Sequence, residues 1–304
     1  MLPKAAEGHV VQLDGKESEA IAAVPRWSFI TVSYNSADAL KTYWGSATIP
    51  AGAEWIVVDN SSSDATVSIA ESLGARVIRL EVNLGFGAAN NIGMNQSRGE
   101  FIAFVNPDVT VDFSTLPALE RVVQSLGGVI GPQLINPDGS LQPNGRGIAT
   151  LPSKIRNRLK SETGTSGYQR TAEPGEQIAV DWLIGAAVIA TRQTFDKFGA
   201  WDDHFFVYYE DSDLGMRAWK HGVPVHVLGD VRWIHGWARE TTSFNVDAWK
   251  RELTSMAKFY SRYPALLGPI RMARWAHPYS NPTTRAANGE QFEGTISNRN
   301  ESAA

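Results

Sequence analysis

The run Phe205-Phe-Val-Tyr-Tyr209 leads straight into Glu210-Asp211-Ser212-Asp213. One acid at a helix start is enough to cap it and complement its dipole. Three acids in four positions beside an apolar wall suit a general base working next to an acceptor hydroxyl. The helix N-terminus lowers the pKa of such a carboxylate, and its acidic neighbours raise it. Asp108 leaves an apolar strand across Asn106 and Pro107. It is a hard oxygen ligand of the kind Mg2+ or Mn2+ takes together with diphosphate oxygens, although the same residues also make an ordinary turn. His235 closes Val231-Arg-Trp-Ile-His235 and by alternation shares a face with Val231 and Trp233. Alone it reads as a core histidine; a second ligand such as Asp108 makes it a metal ligand.

Further polar clusters stand where short apolar runs end: Ser33-Tyr34-Asn35-Ser36, then Asp59-Asn-Ser-Ser-Ser-Asp64. Each can cap the helix that follows, but in an open parallel sheet ligands also bind beyond these strand ends. Asn83-Leu-Gly85-Phe86-Gly87-Ala-Ala-Asn90-Asn91-Ile-Gly93 opens a helix with small residues that let a ligand or another stretch of chain come close. It is neither a Walker A loop nor a G-x-G-x-x-G fingerprint, which disfavours a dinucleotide cofactor.

The elements that must hold these residues follow from periodicity. Trp27–Ser33, Glu54–Asp59, Arg76–Glu81 and Phe101–Val105 are strands at roughly 20–25-residue intervals, with helical spacing between them. Asp64 caps the second helix, Gly74 stops it, and Gly99 stops the next. The pattern predicts βαβ units on a mostly parallel sheet with helices on both faces. The second half is mixed. It has a strand over Val129–Ile135, a turn at Asn136–Gly139 and a strand to Gln142, then one candidate strand over Ile178–Ile189. Helices are predicted at Arg192–Phe198, Asp211–His221 and Asp247–Tyr263, with two strands at Val225–Leu228 and Val231–Ile234. Residues 1–25 read as a lead-in, 26–265 as one integrated domain, and 266–304 as a partly disordered extension. Within the domain, 26–110 is a nucleotide-type α/β half and 111–265 the mixed half.

Of 304 residues, 43% are apolar and 20% charged, enough for a sizeable core; the net charge of −4 gives no global attraction to nucleic acid. The absence of cysteine excludes disulfides, thiolate zinc, iron–sulfur clusters and a Cys nucleophile. The longest clean apolar run, Leu183–Ala190, is far below the roughly 18–20 residues of a spanning helix. With no signal peptide evident, a cytoplasmic protein is expected.

Taken in order, these motifs resemble the inverting family-2 glycosyltransferases of GT-A fold, most closely their bacterial rhamnosyltransferase-like members. The matching pieces are Val32–Ser36, Val57–Asp64, Asn83–Gly93, Phe104–Val109, Asp181–Ala187, Phe198–Asp202 and Phe205–Arg217, across roughly residues 27–240. The resemblance implies a nucleotide-sugar donor site formed by Ser33, Tyr34, Asn35, Asp59, Gly85, Phe86, Asn90 and Asn91, with Asn106, Pro107 and Asp108 at the diphosphate. It implies a divalent metal, Mg2+ or Mn2+, on Asp108 and His235, with Asn106 replacing the first acid of the usual Asp-x-Asp. Trp182, Gly185, Ala186 and Glu210 are then expected on the acceptor side, and Asp211 as the catalytic base.

Lys154-Ile-Arg156-Asn-Arg158-Leu-Lys160 reads first as a solvated helix face. Its second reading, shared with Arg262, Arg271, Arg274 and Trp275, is peripheral contact with an anionic membrane or with a polyprenyl diphosphate. Transfer of rhamnose from dTDP-rhamnose to a saccharide or lipid-linked acceptor is the leading expectation. A nucleotidyltransferase is disfavoured because no Gly-rich, basic triphosphate loop follows the first strand. A non-catalytic nucleotide-sugar binding module is disfavoured by the retained Glu210-Asp211. The sequence leaves the oligomeric state open.

Overall fold

The computed structural model describes residues 24–159, 168–236 and 246–276. The first half is β1 (Trp27–Ser33), α1 (Ala37–Trp44), β2 (Ala53–Asp59), α2 (Thr66–Ser72), β3 (Arg76–Arg79), α3 (Phe86–Gln96) and β4 (Phe101–Val105). There follow β5 (Val109–Thr110), α4 (Leu116–Leu126), β6 (Val129–Ile135), β7 (Leu141–Gln142), β8 (Gly145–Arg146), α5 (Leu151–Leu159) and β9 (Gln169–Arg170). The remainder is β10 (Gln177–Ala179), β11 (Trp182–Leu183), β12 (Ala187–Thr191), α6 (Arg192–Phe198), α7 (Glu210–Lys220), β13 (Val225–His235), α8 (Val246–Arg262) and α9 (Ile270–Ala276).

The main sheet runs β10-β13-β6-β12-β4-β1-β2-β3. β4, β1, β2 and β3 are mutually parallel, and so are β6 and β13. β12 lies antiparallel between β4 and β6. Alternation sorts the core onto two faces. Phe29, Val57 and Phe101 point one way, to Trp44, Trp55, Leu119 and Trp233. Ile30, Ile56, Val58, Ile102 and Phe104 point the other way, to Phe195, Trp201 and Trp219. Each such side chain removed from water contributes about 1.5–3 kcal/mol. A third cluster joins Trp182, Phe205, Tyr209, Phe259, Tyr260 and Tyr263 beside the main sheet.

Several expected elements differ in detail. The single strand expected over Ile178–Ile189 is three, because β11 leaves the main sheet to pair with β8 in a small β11-β8-β9 sheet. The two strands expected over Val225–Ile234 are one, β13, with a register shift against β6 between Leu228 and Arg232. Gly99 does not stop a helix: α3 ends at Gln96, and Gly99 instead donates its N–H to Ser28 Oγ at 2.8 Å. Gly74 does take the left-handed stop position, at φ 86°. Residues 1–23 and 277–304 lie outside the described residues; the first part of the expected extension, residues 266–276, is folded, carrying α9 with Leu266 and Ala273 buried in the third core cluster. Among the described residues no helix is long and apolar enough to cross a membrane.

Candidate active site

The parallel register of β1 and β2 sets Ser33 opposite Asp59, so both arrive together at the C-terminal edge of the sheet. Asp59 is 4% exposed; its Oδ2 accepts the Ser62 N–H at 3.3 Å, while Oδ1 is buried without a partner, as is Ser33 Oγ. Leaving such a group unsatisfied costs about 1–3 kcal/mol. Two such orphaned oxygens stand together on adjacent strand ends. Tyr34 is exposed beside them. Asn35, at φ 50°, accepts the Ser63 N–H at 2.8 Å and ties the two strand-end loops together. Asp64 caps twice, accepting from Thr66 N–H at the start of α2 and from Ala37 N–H at the start of α1.

The small-residue loop serves mainly the approach of another part of the chain. Gly85 sits at φ 88°, and a Cβ there would collide with the Phe206 carbonyl; the Phe86 N–H donates to that same oxygen at 2.8 Å. Asn91 gives both ends of its amide to the Trp201 backbone, at 2.8 and 3.1 Å. Buried Asn90 donates to the Phe86 carbonyl at 3.1 Å. Further along α3, Gly93 packs flat on Ile30 and Val58. Asn60, not singled out from sequence, holds the loop by accepting from Leu84 N–H and donating to the Gly85 carbonyl. The segment 201–206, which leads into the acidic cluster, is therefore fastened to the small-residue loop that opens α3.

β4 ends at Val105, and Asn106 N–H donates to the Ala186 carbonyl at 2.9 Å, so the 182–187 stretch meets Asn106-Pro107-Asp108 at the same edge. Gly185 lies against the Phe86 ring, with no room to spare beyond a Cβ. Trp182 is 5% exposed and donates its indole N–H to the Gly147 carbonyl at 2.9 Å. Its place is in the wall rather than on an open platform.

Asp108 and His235 are brought together by the pairing of β13 with β5, in which His235 stands opposite Val109. His235 Nε2 lies 3.4 Å from Asp108 Oδ2. On its other side, Nδ1 lies 2.5 Å from Gln142 Oε1. The Gln142 amide nitrogen is spent on Asn136 Oδ1 at 2.9 Å, so its oxygen faces the imidazole and Nδ1 carries the proton. Nε2 faces a carboxylate oxygen of Asp108 across 3.4 Å, and one imidazole nitrogen beside one carboxylate is a donor pair that suits Mn2+ or Mg2+. The donor set fits a divalent ion. A second cluster, Asp202, Asp203 and His204, lies in a mostly exposed loop, with Asp202 already paired to Arg262.

The acidic cluster divides into three roles. Asp213 is wholly buried and accepts from Arg217 Nε at 2.6 Å, Arg262 at 2.8 Å and Tyr263 Oη at 2.9 Å, tying α7 to α8. Glu210 is 7% exposed, with Oε2 buried and unpartnered; burial and then the Asp211 charge push it up to about 8. Asp211 is half-buried, and its Oδ1 accepts the Ser212 N–H at 2.6 Å. Burial raises its pKa, and the Lys154 ammonium opposes that rise. Gly215 lets α7 sit flush on β11, since a Cβ would collide with Trp182. Immediately before α7, Tyr208 and Tyr209 both take left-handed backbone, φ 68° and 70°, a strain of about 1–3 kcal/mol each that the surrounding packing must hold.

Lys154 corrects an expectation. Instead of joining a solvated face, its ammonium lies 3.7 Å from the centre of the Tyr209 ring and 4.8 Å from Trp182. Arg262 is likewise spent on Asp202 and Asp213. Arg156 and Arg271 are exposed; Lys160 and the side chains of Arg158, Arg274 and Trp275 lie outside the described residues. The role of Gln142 was equally hidden, because only the fold shows that the hairpin returning along β6 ends beside His235.

Residues 28–173 match a family model described as glycosyl transferase family 2. An N-acetylglucosaminyl-diphospho-decaprenol L-rhamnosyltransferase of Mycobacterium tuberculosis is 31% identical over 191 residues, 55% of this chain and 61% of the relative. The rhamnosyltransferase WbbL of Escherichia coli is 24% identical over 192 residues, 59% of this chain and 70% of the relative. This chain thus spans about three fifths of the length of the mycobacterial relative. Among solved structures, GalNAc-T7 with UDP, GalNAc and Mn2+ superposes with a TM-score of 0.56 at 16% identity, over 84% of this chain and 55% of that one, a likeness of fold. Sheet order, motif order and family match agree that the chain carries a family-2 glycosyltransferase domain on a GT-A fold.

Proposed function

We propose that the chain transfers rhamnose from dTDP-rhamnose to a saccharide or polyprenyl-diphosphate-linked acceptor in cell-surface polysaccharide synthesis, by inverting displacement. The observation that carries this reading is the fastening of the acidic segment to the donor-side loop, Phe86 N–H to Phe206 carbonyl. It sets a candidate base beside a candidate nucleotide pocket on one sheet edge. The choice of sugar and acceptor is supported by the names of the mycobacterial and Escherichia coli relatives.

In this reading Ser33, Tyr34, Asn35 and Asp59 take the base and ribose, the two orphaned oxygens being the acceptors that a nucleoside's N–H and O–H groups satisfy. Asn106, Pro107 and Asp108 line the diphosphate. Asp108 and His235 would hold a divalent ion, which supplies positive charge for the leaving diphosphate. Gly185, Ala186 and Glu210 border the acceptor. Asp211 accepts the acceptor's hydroxyl proton as that oxygen bonds to the anomeric carbon and the bond to the β-phosphate breaks. The aromatic wall of Phe205, Tyr209 and Trp182 excludes water that would otherwise hydrolyse the donor. Exposed Arg156 and Arg271, with exposed Ile155 and Met272 beside them in sequence, support peripheral docking at an anionic cytoplasmic leaflet.

The test is sugar transfer from dTDP-rhamnose to an N-acetylglucosaminyl-diphospho-lipid, with Mn2+ or with EDTA, against UDP-sugars and GDP-mannose. Transfer from dTDP-rhamnose alone, lost in EDTA, is expected. Transfer only from another donor corrects the sugar, metal-independent transfer removes the ion, and no transfer from any donor ends the transferase reading. Flotation with anionic vesicles at low salt tests the docking, which fails if the chain stays unbound.

A further inference from the structure

A charged amine enclosed by aromatic rings needs a reason, since an ammonium that gives up its water must recover the loss from its partners. Lys154 leaves α5 and enters the third core cluster. Its Nζ stands over the Tyr209 ring at 3.7 Å, with Trp182 at 4.8 Å and Phe259 at 5.7 Å. Its hydrogen bond goes to Ser212 Oγ at 2.9 Å. Ser212 is fully buried, and its Oγ lies 3.3 Å from Asp211 Oδ1, the oxygen that also accepts the Ser212 N–H. A hydroxyl that accepts from an ammonium is left with its own proton to give, and the direction it can give it is toward Asp211. One oxygen of Asp211 is therefore held through a Lys154–Ser212 bridge. Oδ2 makes no hydrogen bond among the described residues.

We propose that Lys154 is the positioning residue of the acidic pair: through Ser212 it fixes one oxygen of Asp211 and keeps Asp211, rather than Glu210, as the ionised carboxylate. The inference rests on the reading of Asp211 as the base. The charges around it are few. Glu210 and Asp211 face Lys154 from α7, Glu252 from α8 and Arg146 from β8, with the hydroxyls of Tyr168, Tyr209 and Tyr260 in the same cluster. Arg146 is committed to the Pro143 and Gly145 carbonyls, at 2.6 and 2.9 Å. The two carboxyl groups are adjacent in sequence at one helix start, so the nearby cations, Lys154 first and Arg146 after it, favour ionising one of them, and both pull on Asp211. Contact selects Asp211, because Ser212 bridges to it and Glu210 Oε2 has no partner. The titrations agree in direction. Burial pulls Lys154 down to about 8 against the pull of both acids, Glu210 is pushed up to about 8, and Asp211 rises less freely because Lys154 opposes it.

The experiment is a carboxyl 13C NMR titration of the full chain labelled at Asp, with the Asp211 signal assigned by its loss in Asp211→Asn. In Lys154→Met, which keeps the stem and removes the charge, Asp211 is expected to titrate about one pH unit or more higher. Lys154→Arg should return it most of the way. Ser212→Ala, which deletes only the bridge, should move it in the same direction by less and serves if Lys154→Met does not fold. An Asp211 titration unchanged in whichever of Lys154→Met or Ser212→Ala folds overturns the proposal and leaves Lys154 as packing. Sugar transfer separates this from the base assignment. If Asp211→Asn turns over at the parental rate, that assignment falls; if it is inactive while the Asp211 titration is unmoved by the variants, only the Lys154 inference falls.

Discussion

The two sides of the site treat polar groups in opposite ways. At the ends of β1 and β2 the polar residues sit at the sheet edge, cap the helices that follow, and leave two buried oxygens, Ser33 Oγ and Asp59 Oδ1, unsatisfied. At the start of α7 two of the three acids are compensated within the chain, Asp213 by Arg217 and Arg262 and Asp211 by the Lys154–Ser212 bridge, while Glu210 Oε2 is buried without a partner. Under the proposed function, the donor nucleoside completes the first arrangement. The second is built before any ligand arrives, which suits a group that must already have its protonation state and aim when the acceptor binds.

The link between the sides is the contact most open to disruption. Gly85→Ala forces a side chain into left-handed backbone and against the Phe206 carbonyl, and should destabilise the chain by about 3 kcal/mol in urea unfolding. A variant as stable as the parent would show the two sides to be independent. The buried charges of the second half should also carry the pH dependence of stability. Burial holds His226 at about 4, with Nδ1 unpartnered. The unfolded chain binds that proton near 6.5, so stability falls as pH drops from about 6.5 to about 4, by about 3 kcal/mol. His226→Leu should flatten that limb. Glu210 has the opposite sign: its contribution is present below its unfolded pKa near 4.5 and lost as pH rises through about 8. Glu210→Gln should therefore be more stable than the parent by about 1–2 kcal/mol at pH 8.5 and equal to it at pH 4, read as thermal midpoints. At the open edge the effect should fall on binding alone. Asp59→Asn is expected to weaken dTDP-rhamnose binding about tenfold, roughly 1.4 kcal/mol by calorimetry, without loss of stability.

The same contrast explains what could be read from sequence. β1 to β4 and their helices follow from local periodicity, because a strand covered on both faces writes Phe29, Ile30 and Val57 into one apolar run. Asp108 and His235 were legible as a pair because the ends of apolar strands are where a sheet presents ligands. The rest depends on contacts distant in the chain. Nothing near Lys154 announces that α5 turns that side chain inward toward Tyr209. Nothing near Asp213 distinguishes its ion pair with Arg262, 49 residues away, from the adjacent candidate base. Asn90 and Asn91 looked like ligand contacts, and their amides are engaged with the chain's own backbone. Where a polar group meets solvent or a ligand, its neighbours in sequence reveal it; where it meets another buried charge, only the fold does.

The most direct test takes Asp211→Asn through two readings on one preparation: dTDP-rhamnose binding by calorimetry and sugar transfer to an N-acetylglucosaminyl-diphospho-lipid. If the open edge binds the donor and the enclosed edge moves the proton, the dissociation constant stays within about twofold of the parent while transfer falls about 10²–10⁴-fold. Transfer at the parental rate, or loss of donor binding together with transfer, would contradict that division of labour.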